Sequence, residues 1–405
     1  MLPNTRFRLG ESYSPLYFLA ALGAGGLVVT FFMWLLFWVP HAGRPVPVFE
    51  DVLAAFQQGD FPMQIAVGVA WFGIAFFTVI HLQLLIWNIG EFLRFRATPA
   101  YAALRNSNDE TQLLAAPLTV AMTINVGFIV GLVFVPSLWD VVEYLFPFAI
   151  VAFLAVGAWA LAILRDFWGR ILTTGEFDCS RNNSFGQLLP AFALSMVGVG
   201  LAAPAAMSAQ PWIAGLSYIV SSFFIVTAVL LAAVKLILGL RAMMEQGATP
   251  LSAPSLWIVV PIITVVGIAM MRQDHALHVH FGADGDAAEI LTRLTWFLAV
   301  QIVFALWGLV VLRRFNYFER FVTGPEASAG SYALVCPGVA LSVMVHFFLN
   351  KALVGTELVD KFSLAYWAVT LVALILQAAT VWLLARLNRK HFAQTTALHA
   401  APGPR

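Results

Sequence analysis

Charged residues are scarce in this sequence. Only 11% of the 405 residues are charged, whereas an ordinary soluble domain carries about 25%. Most of the apolar surplus, reflected in a mean hydropathy of +0.86, falls in stretches of roughly 20 residues, the length that a helix needs to cross a bilayer. A net charge of +1 excludes a strongly basic nucleic-acid binder. We therefore predict an all-α integral membrane protein that is surrounded by the lipid bilayer and has no nucleic-acid partner.

Cysteine is scarce as well. Cys179 and Cys336 are too few and too far apart in sequence for a disulfide framework or a CxxC metal site. Neither a CxxCH motif nor a nucleotide-binding segment occurs, so we expect no enzymatic activity, no cofactor and no metal. The N-terminus, MLPNTRFRLGESYSP, lacks the small-residue cleavage pattern of a signal peptide. We expect the first apolar stretch to remain as a membrane anchor.

Ten apolar stretches, called spans 1 to 10, are long enough to cross the membrane. An even number places both termini on one side, and Lys and Arg are retained in cytoplasmic loops. With both termini inside, 17 basic residues lie on the cytoplasmic face and five on the outer face. We predict one transmembrane domain over residues 1–390, a flexible tail over 391–405 and cytoplasmic termini. The predicted spans are 16–39, 63–90, 113–135, 140–164, 186–207, 212–240, 252–271, 288–312, 332–354 and 363–386.

The connections between the spans alternate in length. Spans 3 and 4, like spans 5 and 6, are joined by only a few residues on the outer side. The inner links between spans 2 and 3, 4 and 5, and 8 and 9 have roughly 20 residues, longer than most connections in compact domains. Short outer turns join consecutive spans into antiparallel pairs. The pattern therefore predicts five hairpins.

A proline recurs near the cytoplasmic start of every odd-numbered span. Proline inside a helix removes a backbone donor and clashes with the carbonyl four residues earlier, which kinks the helix. In lipid such kinks persist where neighbouring helices or water satisfy the freed carbonyl, although proline is also generally commoner in transmembrane helices. Equivalent kinks in alternate helices favour a quasi-five-fold arrangement around a central pore. The prolines are Pro15, Pro117, Pro190, Pro254 and Pro337.

The interiors of the odd-numbered spans carry small and hydroxyl residues, such as Ser195 and Ser342, rather than ionised ones. These residues either let helices pack closely or line a narrow, neutral passage, to which we assign them. His346 in span 9 precedes Asn350 and Lys351 by about one turn, and we assign it to the pore mouth. Cytoplasmic arginines would raise the local anion concentration. The expected function is passage of small anions.

Ten spans, five hairpins and the prolines of segments such as SYSPLYFLAALG and ALVCPGVALSV resemble the tellurite-resistance/dicarboxylate transporter family, which includes the plant slow-type anion channels. The resemblance covers about residues 12–390. It implies a homotrimer in the bacterial inner membrane, in which every subunit has its own pore, lined by the odd spans and surrounded by the even spans. It also implies small inorganic or dicarboxylate anions as cargo, such as sulfite, tellurite, selenite, nitrate or chloride.

One position departs from the family. The phenylalanine that blocks the family's pore aligns immediately before the ninth-span proline, where this sequence has Cys336. A cysteine cannot fill a pore as a phenyl ring does. Either a ring at Phe192, Phe347 or Phe348 takes over the gate, or the thiol has a chemical role, since tellurite, selenite and sulfite react with thiols. A small buried apolar residue is the third alternative for Cys336.

A polar run, GEFDCSRNNSFGQLLP, precedes span 5. Ser180, Asn182, Asn183 or Ser184 could cap the fifth helix, whose N-terminus attracts anions, and Arg181 would lie beside it. We predict a cytoplasmic anion vestibule formed by Ser180, Arg181 and Asn182. Helix capping alone is the alternative.

Two histidines, His81 in span 2 and His346 in span 9, lie within apolar stretches. Ionisable groups at membrane depth are functional candidates. The alternative function is therefore a membrane oxidoreductase, in which these histidines hold haem or Cys336 acts as a redox thiol. Three further histidines, His275, His278 and His280, follow span 7 without a fixed metal-ligand spacing. We expect them in a solvated loop, and a Zn²⁺ or Cu²⁺ site is the alternative.

Overall fold

The computed structural model describes residues 8–175, 177–178 and 182–393. Throughout this part of the chain the regular structure is helical, and no strand occurs in it. Ten helices are long and apolar enough to cross a membrane, as expected of a multi-pass membrane protein. The predicted number of spans is confirmed. Spans 1 to 10 are Pro15–Trp38, Phe61–Phe95, Asn108–Phe134, Leu138–Thr174, Gly186–Met207, Pro211–Gln246, Ala253–Phe281, Ala287–Arg314, Ala329–Leu353 and Leu364–Phe392.

Shorter helices occupy some of the links. Phe49–Gln58 lies between spans 1 and 2, Pro99–Arg105 between spans 2 and 3, and the π-helical segment Phe318–Thr323 between spans 8 and 9. The last helix continues through Ala393. Residues 394–405 of the predicted tail lie outside the described residues.

Span 7 is longer than its hydropathy predicts. The helix does not end near residue 271 but continues to Phe281, where Gly282 adopts a left-handed conformation with φ 72°. Glycine takes this conformation without steric cost and commonly ends a helix. The three histidines expected in a solvated loop therefore lie on the last turns of span 7.

Every odd-numbered span begins as a 3-10 helix and continues as an α-helix, and span 4 shares this feature. The five prolines fall within the 3-10 segment or within the first three residues of the α-helix, and all five are buried. Near a helix start a missing N–H removes no hydrogen bond of the finished helix. The prolines thus mark a change of helix type rather than a kink in the middle of a span.

The odd-numbered spans contact one another in a closed order. Span 1 contacts span 3, and the contacts continue through spans 5, 7 and 9 back to span 1. Every even-numbered span packs against the odd spans before and after it, and span 10 packs against spans 9 and 1. The start of span 1 and the end of span 10 meet where the Tyr17 hydroxyl lies 3.1 Å from His391 Nδ1. We call this the terminal end of the bundle, and the other the opposite end.

Burial separates the two sets of spans. In the most apolar stretch of each span, 61 to 100% of the residues are buried in the odd spans, against 17 to 39% in the even spans. Close approach needs glycine at some contacts: a Cβ added to Gly23 or Gly26 of span 1 would lie 2.5 Å from Val335 or 2.9 Å from Val339 of span 9. The odd spans form the interior of the bundle, and the even spans cover it.

Candidate functional site

A cavity of about 790 Å³ lies between the odd-numbered spans. Its wall comes from these five spans, apart from the first two turns of span 8 and the links at the opposite end. Helix rise per residue is 1.5 Å, so the lining stretch of span 1, from Leu22 to Phe37, follows the cavity for about 22 Å. The cavity thus extends along much of the membrane-spanning interior.

The end of the cavity that is nearer the starts of the odd spans is formed by one residue from each of them. Among the described residues, no lining side chain lies nearer the start of its span than these five. Phe192 is the one aromatic ring in the set, and it is only 3% exposed. This end of the cavity is therefore lined by apolar side chains, one of which is a large aromatic ring. The set, called the inner ring, is Leu22, Met122, Phe192, Pro261 and Cys336.

Beyond the inner ring, tyrosines and other polar groups fill the terminal end. The Tyr17 and Tyr332 ring centroids are 6.1 Å apart, and the Tyr332 hydroxyl donates to Asn388 Oδ1 at 2.9 Å. The Tyr13 hydroxyl donates to Asn88 Oδ1 at 2.9 Å. Burial, followed by the charge of Glu91, raises the pKa of Tyr13 well above its usual value. This packing separates the cavity from the terminal end.

The middle of the cavity is largely apolar. Val265 and Val339 belong to its wall, together with the polar side chains of Asn125 and Thr264. The Thr264 hydroxyl donates to Ala340 O at 3.1 Å. Asn125 Nδ2 donates to Ala121 O at 3.2 Å. An ion in this region would meet few charged or polar groups.

Charged side chains gather at the opposite end of the cavity. Arg293 bonds both Asp274 and Glu289, so it is matched by carboxylates. Arg272 instead donates from Nη1 to the backbone carbonyl of Val199 at 2.8 Å. The charged lining residues are Arg272, Asp274, Asp284, Asp286, Glu289, Arg293, Lys351 and Lys361.

Lys351 and Lys361 lie close enough to influence one another. Burial, followed by the charge of Lys351, lowers the pKa of Lys361. Lys361 also lies over the Phe362 ring, 5.0 Å from its centroid. Two ammonium groups thus share the mouth of the cavity.

Three of the predicted pore residues line the cavity. Cys336 and Phe192 lie at the inner ring, and Phe347 lies nearer the opposite end, where its ring centroid is 5.4 Å from that of Phe37. Phe348, the third candidate for the gate, does not line it. Of the predicted gating rings, Phe192 therefore lies at the inner ring and Phe347 lies nearer the opposite end.

The other predicted pore residues lie away from the cavity. Ser195 donates to Phe192 O within its own helix, and Ser342 donates at 2.9 Å to Ala373 O of span 10, so both hydroxyls are satisfied by backbone. His346 is fully buried and packs on Phe37 and Trp38. The prolines that are absent from the lining are Pro15, Pro117, Pro190, Pro254 and Pro337.

The predicted cytoplasmic vestibule is only partly described. Ser180 and Arg181 lie outside the described residues. Asn182 is 6% exposed, and the neighbouring Asn183 donates from Nδ2 to Gly247 O at 2.7 Å. The vestibule stays a prediction.

His81 is a packing residue with both ring nitrogens in contact. Nδ1 lies 2.7 Å from Ala21 O, and Nε2 lies 2.9 Å from the Thr123 hydroxyl. The ring thereby links spans 1, 2 and 3. Neither nitrogen is left for an iron atom.

Sequence reasoning missed the charged residues that reach the cavity. Arg272 and Lys351 are two of the five basic residues that the sequence places on the outer face, whereas the predicted passage carries no charge. One signal was present: the helix-forming residues after Arg272 continue span 7 to Gly282, which keeps Arg272 on a packed helix. The wall residue that Arg272 contacts, Val199, lies on another span and could not be deduced.

No protein-family model, curated protein or solved structure matches the chain. The resemblance to the tellurite-resistance/dicarboxylate transporter family therefore stays a prediction.

Access to the cavity can be measured along span 9. In a Cys179→Ser background, we expect a membrane-impermeant thiol reagent added at the opposite end to modify Val354→Cys fastest, Ala340→Cys more slowly and native Cys336 slowest, because these positions line the cavity at increasing depth. The matched control is Ser342→Cys in a Cys336→Ala background. Its side chain faces span 10, so its rate should be at least about tenfold below that of Val354→Cys, since reaction requires access to the thiolate. Equal rates at Ser342→Cys and Val354→Cys would contradict the assigned wall.

Proposed function

We propose that this chain is a membrane channel or transporter that passes small anions through a passage lined by its odd-numbered spans. The observation that carries the proposal is the cavity whose membrane-depth wall comes from alternate spans. A bundle needs no such internal space for stability, because packed interiors normally leave few voids larger than a water molecule. A long cavity between buried helices is instead what a transport path requires.

The order of contacts supports a five-hairpin, quasi-five-fold arrangement. Each odd span packs against the even span that follows it, and the five odd spans contact one another in a closed order. The proposed pore lies at the centre of the five odd spans, and the even spans face the lipid. With cytoplasmic termini, the terminal end is the cytoplasmic side and the opposite end is the outer side.

The charge distribution supports anions as the cargo. The interior wall between the inner ring and Arg272 carries no carboxylate among its described lining residues. A neutral wall holds an anion weakly, and throughput requires binding that is weak enough for release. Small inorganic or dicarboxylate anions are the proposed class, and membership of the tellurite-resistance/dicarboxylate family, a homotrimeric state and a bacterial inner-membrane location are part of the same proposal.

The oxidoreductase alternative has less support. Both His81 nitrogens are engaged by protein groups, and the described residues contain no group of three or more His, Cys, Asp or Glu side chains that could hold a metal ion. Cys336 lies among apolar neighbours at the inner ring, where a small side chain also serves a passage.

Anion flux through proteoliposomes tests the proposal. We expect the wild type to pass chloride and nitrate above the rate of protein-free liposomes without passing K⁺. Cys336→Phe should lower the flux at least about tenfold, because a phenyl ring would fill an apolar constriction, whereas the matched Cys336→Ala variant should stay near wild type. Wild-type flux in Cys336→Phe would remove Cys336 from the constriction. Anion flux absent both from the wild type and from a variant with the inner ring widened would refute the proposed function.

A further inference from the structure

Arg272 carries its charge deep into the bundle. Its guanidinium contacts the carbonyl of Val199, which lies eight residues before the end of span 5 at Met207. At a rise of 1.5 Å per residue, the contact is about 12 Å inside that end. A charged side chain at such depth is costly and marks a functional site by default. A carbonyl oxygen can accept a hydrogen bond from the guanidinium, but it supplies no countercharge.

The nearby carboxylates have other partners or lie at the surface. Asp274 and Glu289 both bond Arg293, and Asp286 accepts from Ala288 N at 2.8 Å to cap span 8. Asp284 is exposed in the link between spans 7 and 8. Among the described residues, Arg272 has no carboxylate within 4.0 Å, the ion-pair distance.

Lys351, on the neighbouring span 9, also has no carboxylate partner among the described residues. It lies in the π-helical end of span 9, Phe348–Leu353, lines the cavity and forms no ion pair with a described residue. Lys361 joins it from the link to span 10, and the pKa of Lys361 is lowered by burial and then by the Lys351 charge. The ammonium groups of Lys351 and Lys361 are thus close enough for their charges to repel one another.

The positive and negative side chains of the lining are equal in number, but they lie in different places. Four cations and four carboxylates line this end of the cavity. The carboxylates all fall between residues 274 and 289, at the end of span 7 and the start of span 8, and Arg293 binds two of them. Arg272, Lys351 and Lys361 are therefore the cations left for a ligand.

Resting on the proposed function, we propose that Arg272 and Lys351, assisted by Lys361, form a binding site for a divalent oxyanion in the outer half of the cavity. A guanidinium presents paired N–H groups that match two oxygens of one oxyanion, and an ammonium adds a point charge. Two unpaired cations match two negative charges, which a halide does not supply. The site lies between the inner ring and the opposite end of the bundle, so it loads from the outer side.

Sulfate binding to the purified protein in detergent tests the site without measuring transport. In isothermal titration calorimetry at constant ionic strength, we expect sulfate to bind the wild type and chloride to bind far more weakly. Arg272→Gln and Lys351→Gln should each weaken sulfate binding at least about tenfold, the scale of losing a charge-assisted hydrogen bond. The control is Arg314→Gln, an exposed arginine at the terminal end, and it should bind sulfate as the wild type does.

A loss of sulfate binding in these variants has to be distinguished from a loss of the folded structure. Glutamine at position 272 removes the charge and is too short to keep the contact with Val199 O, but that carbonyl lies within the α-helix of span 5, and Lys351 is exposed. A monodisperse elution profile that matches wild type checks the fold. Unchanged sulfate affinity in both variants, or equal wild-type affinity for chloride and sulfate, would overturn the site. Sulfate binding that depends on both residues without any anion flux would instead refute the proposed function and leave the site standing.

Discussion

Replacing Phe192 by alanine should raise anion flux at least about tenfold above the wild-type rate, since a hydrophobic constriction stops an ion and its water. Phe192 is the one aromatic ring of the inner ring, and its partners are Leu22, Met122, Pro261 and Cys336. Removing the phenyl group widens the cavity at the inner ring while leaving the charged mouth unchanged. Stopped-flow measurement of chloride efflux from liposomes of matched protein content gives the rate directly.

Phe347→Ala provides the matched control. It removes the same ring from the same cavity, but at the end where Phe37 and the charged residues lie. Both variants lose packed apolar area, so both are compared only after their elution profiles match that of the wild type. We expect near wild-type flux in Phe347→Ala. The reverse result, with flux raised in Phe347→Ala and unchanged in Phe192→Ala, would move the constriction to the outer side.

Gly200→Leu should destabilise the folded protein by about 3 kcal/mol or more, at the upper end of the cost of overpacking a core. A Cβ at Gly200 in span 5 would overlap the Phe153 ring of span 4. Phe153 is fully buried, so displacing its ring would disturb a packed interior. The expected readout is a lower temperature of aggregation in detergent, or no monodisperse peak at all.

Two further variants assign the effect to this contact. Gly127 has no atom within 4 Å of an added Cβ, so Gly127→Leu should retain the wild-type temperature. In the Gly200→Leu background, Phe153→Ala should recover part of the loss, because it removes the ring that the new side chain meets. Equal destabilisation by Gly200→Leu and Gly127→Leu would show that bulk alone, rather than the contact between spans 4 and 5, is responsible.

The number of spans could be predicted because hydropathy and length decide it locally. The extent of span 7 could not, because the helix beyond residue 271 is polar and its end is set by Gly282. Helix ends depend on capping, which hydropathy does not measure. The separation into interior and covering spans was indicated by the glycines and prolines, whose small or pre-formed backbone suits close packing.

The direction in which each residue faces was harder to predict. On span 9 the cavity is lined at Cys336, Ala340, Val343 and Phe347, spaced by three or four residues. Ser342 falls between these positions and faces span 10. A small or hydroxyl residue suits a helix contact and a pore equally well, so residue type could not fix the rotation of the helix. The position of Arg272 beside Val199 depends on packing between two spans and was equally out of reach.

The burial of alternate spans places two physical demands on different parts of the sequence. Substitutions in the even spans meet hydrocarbon, so they can adjust the protein to bilayers of other thickness while the cavity wall keeps its composition. Substitutions in the odd spans meet other helices or the cavity, and they alter conduction or fold instead. Descendants of this chain could therefore adapt to a new membrane and to a new cargo independently.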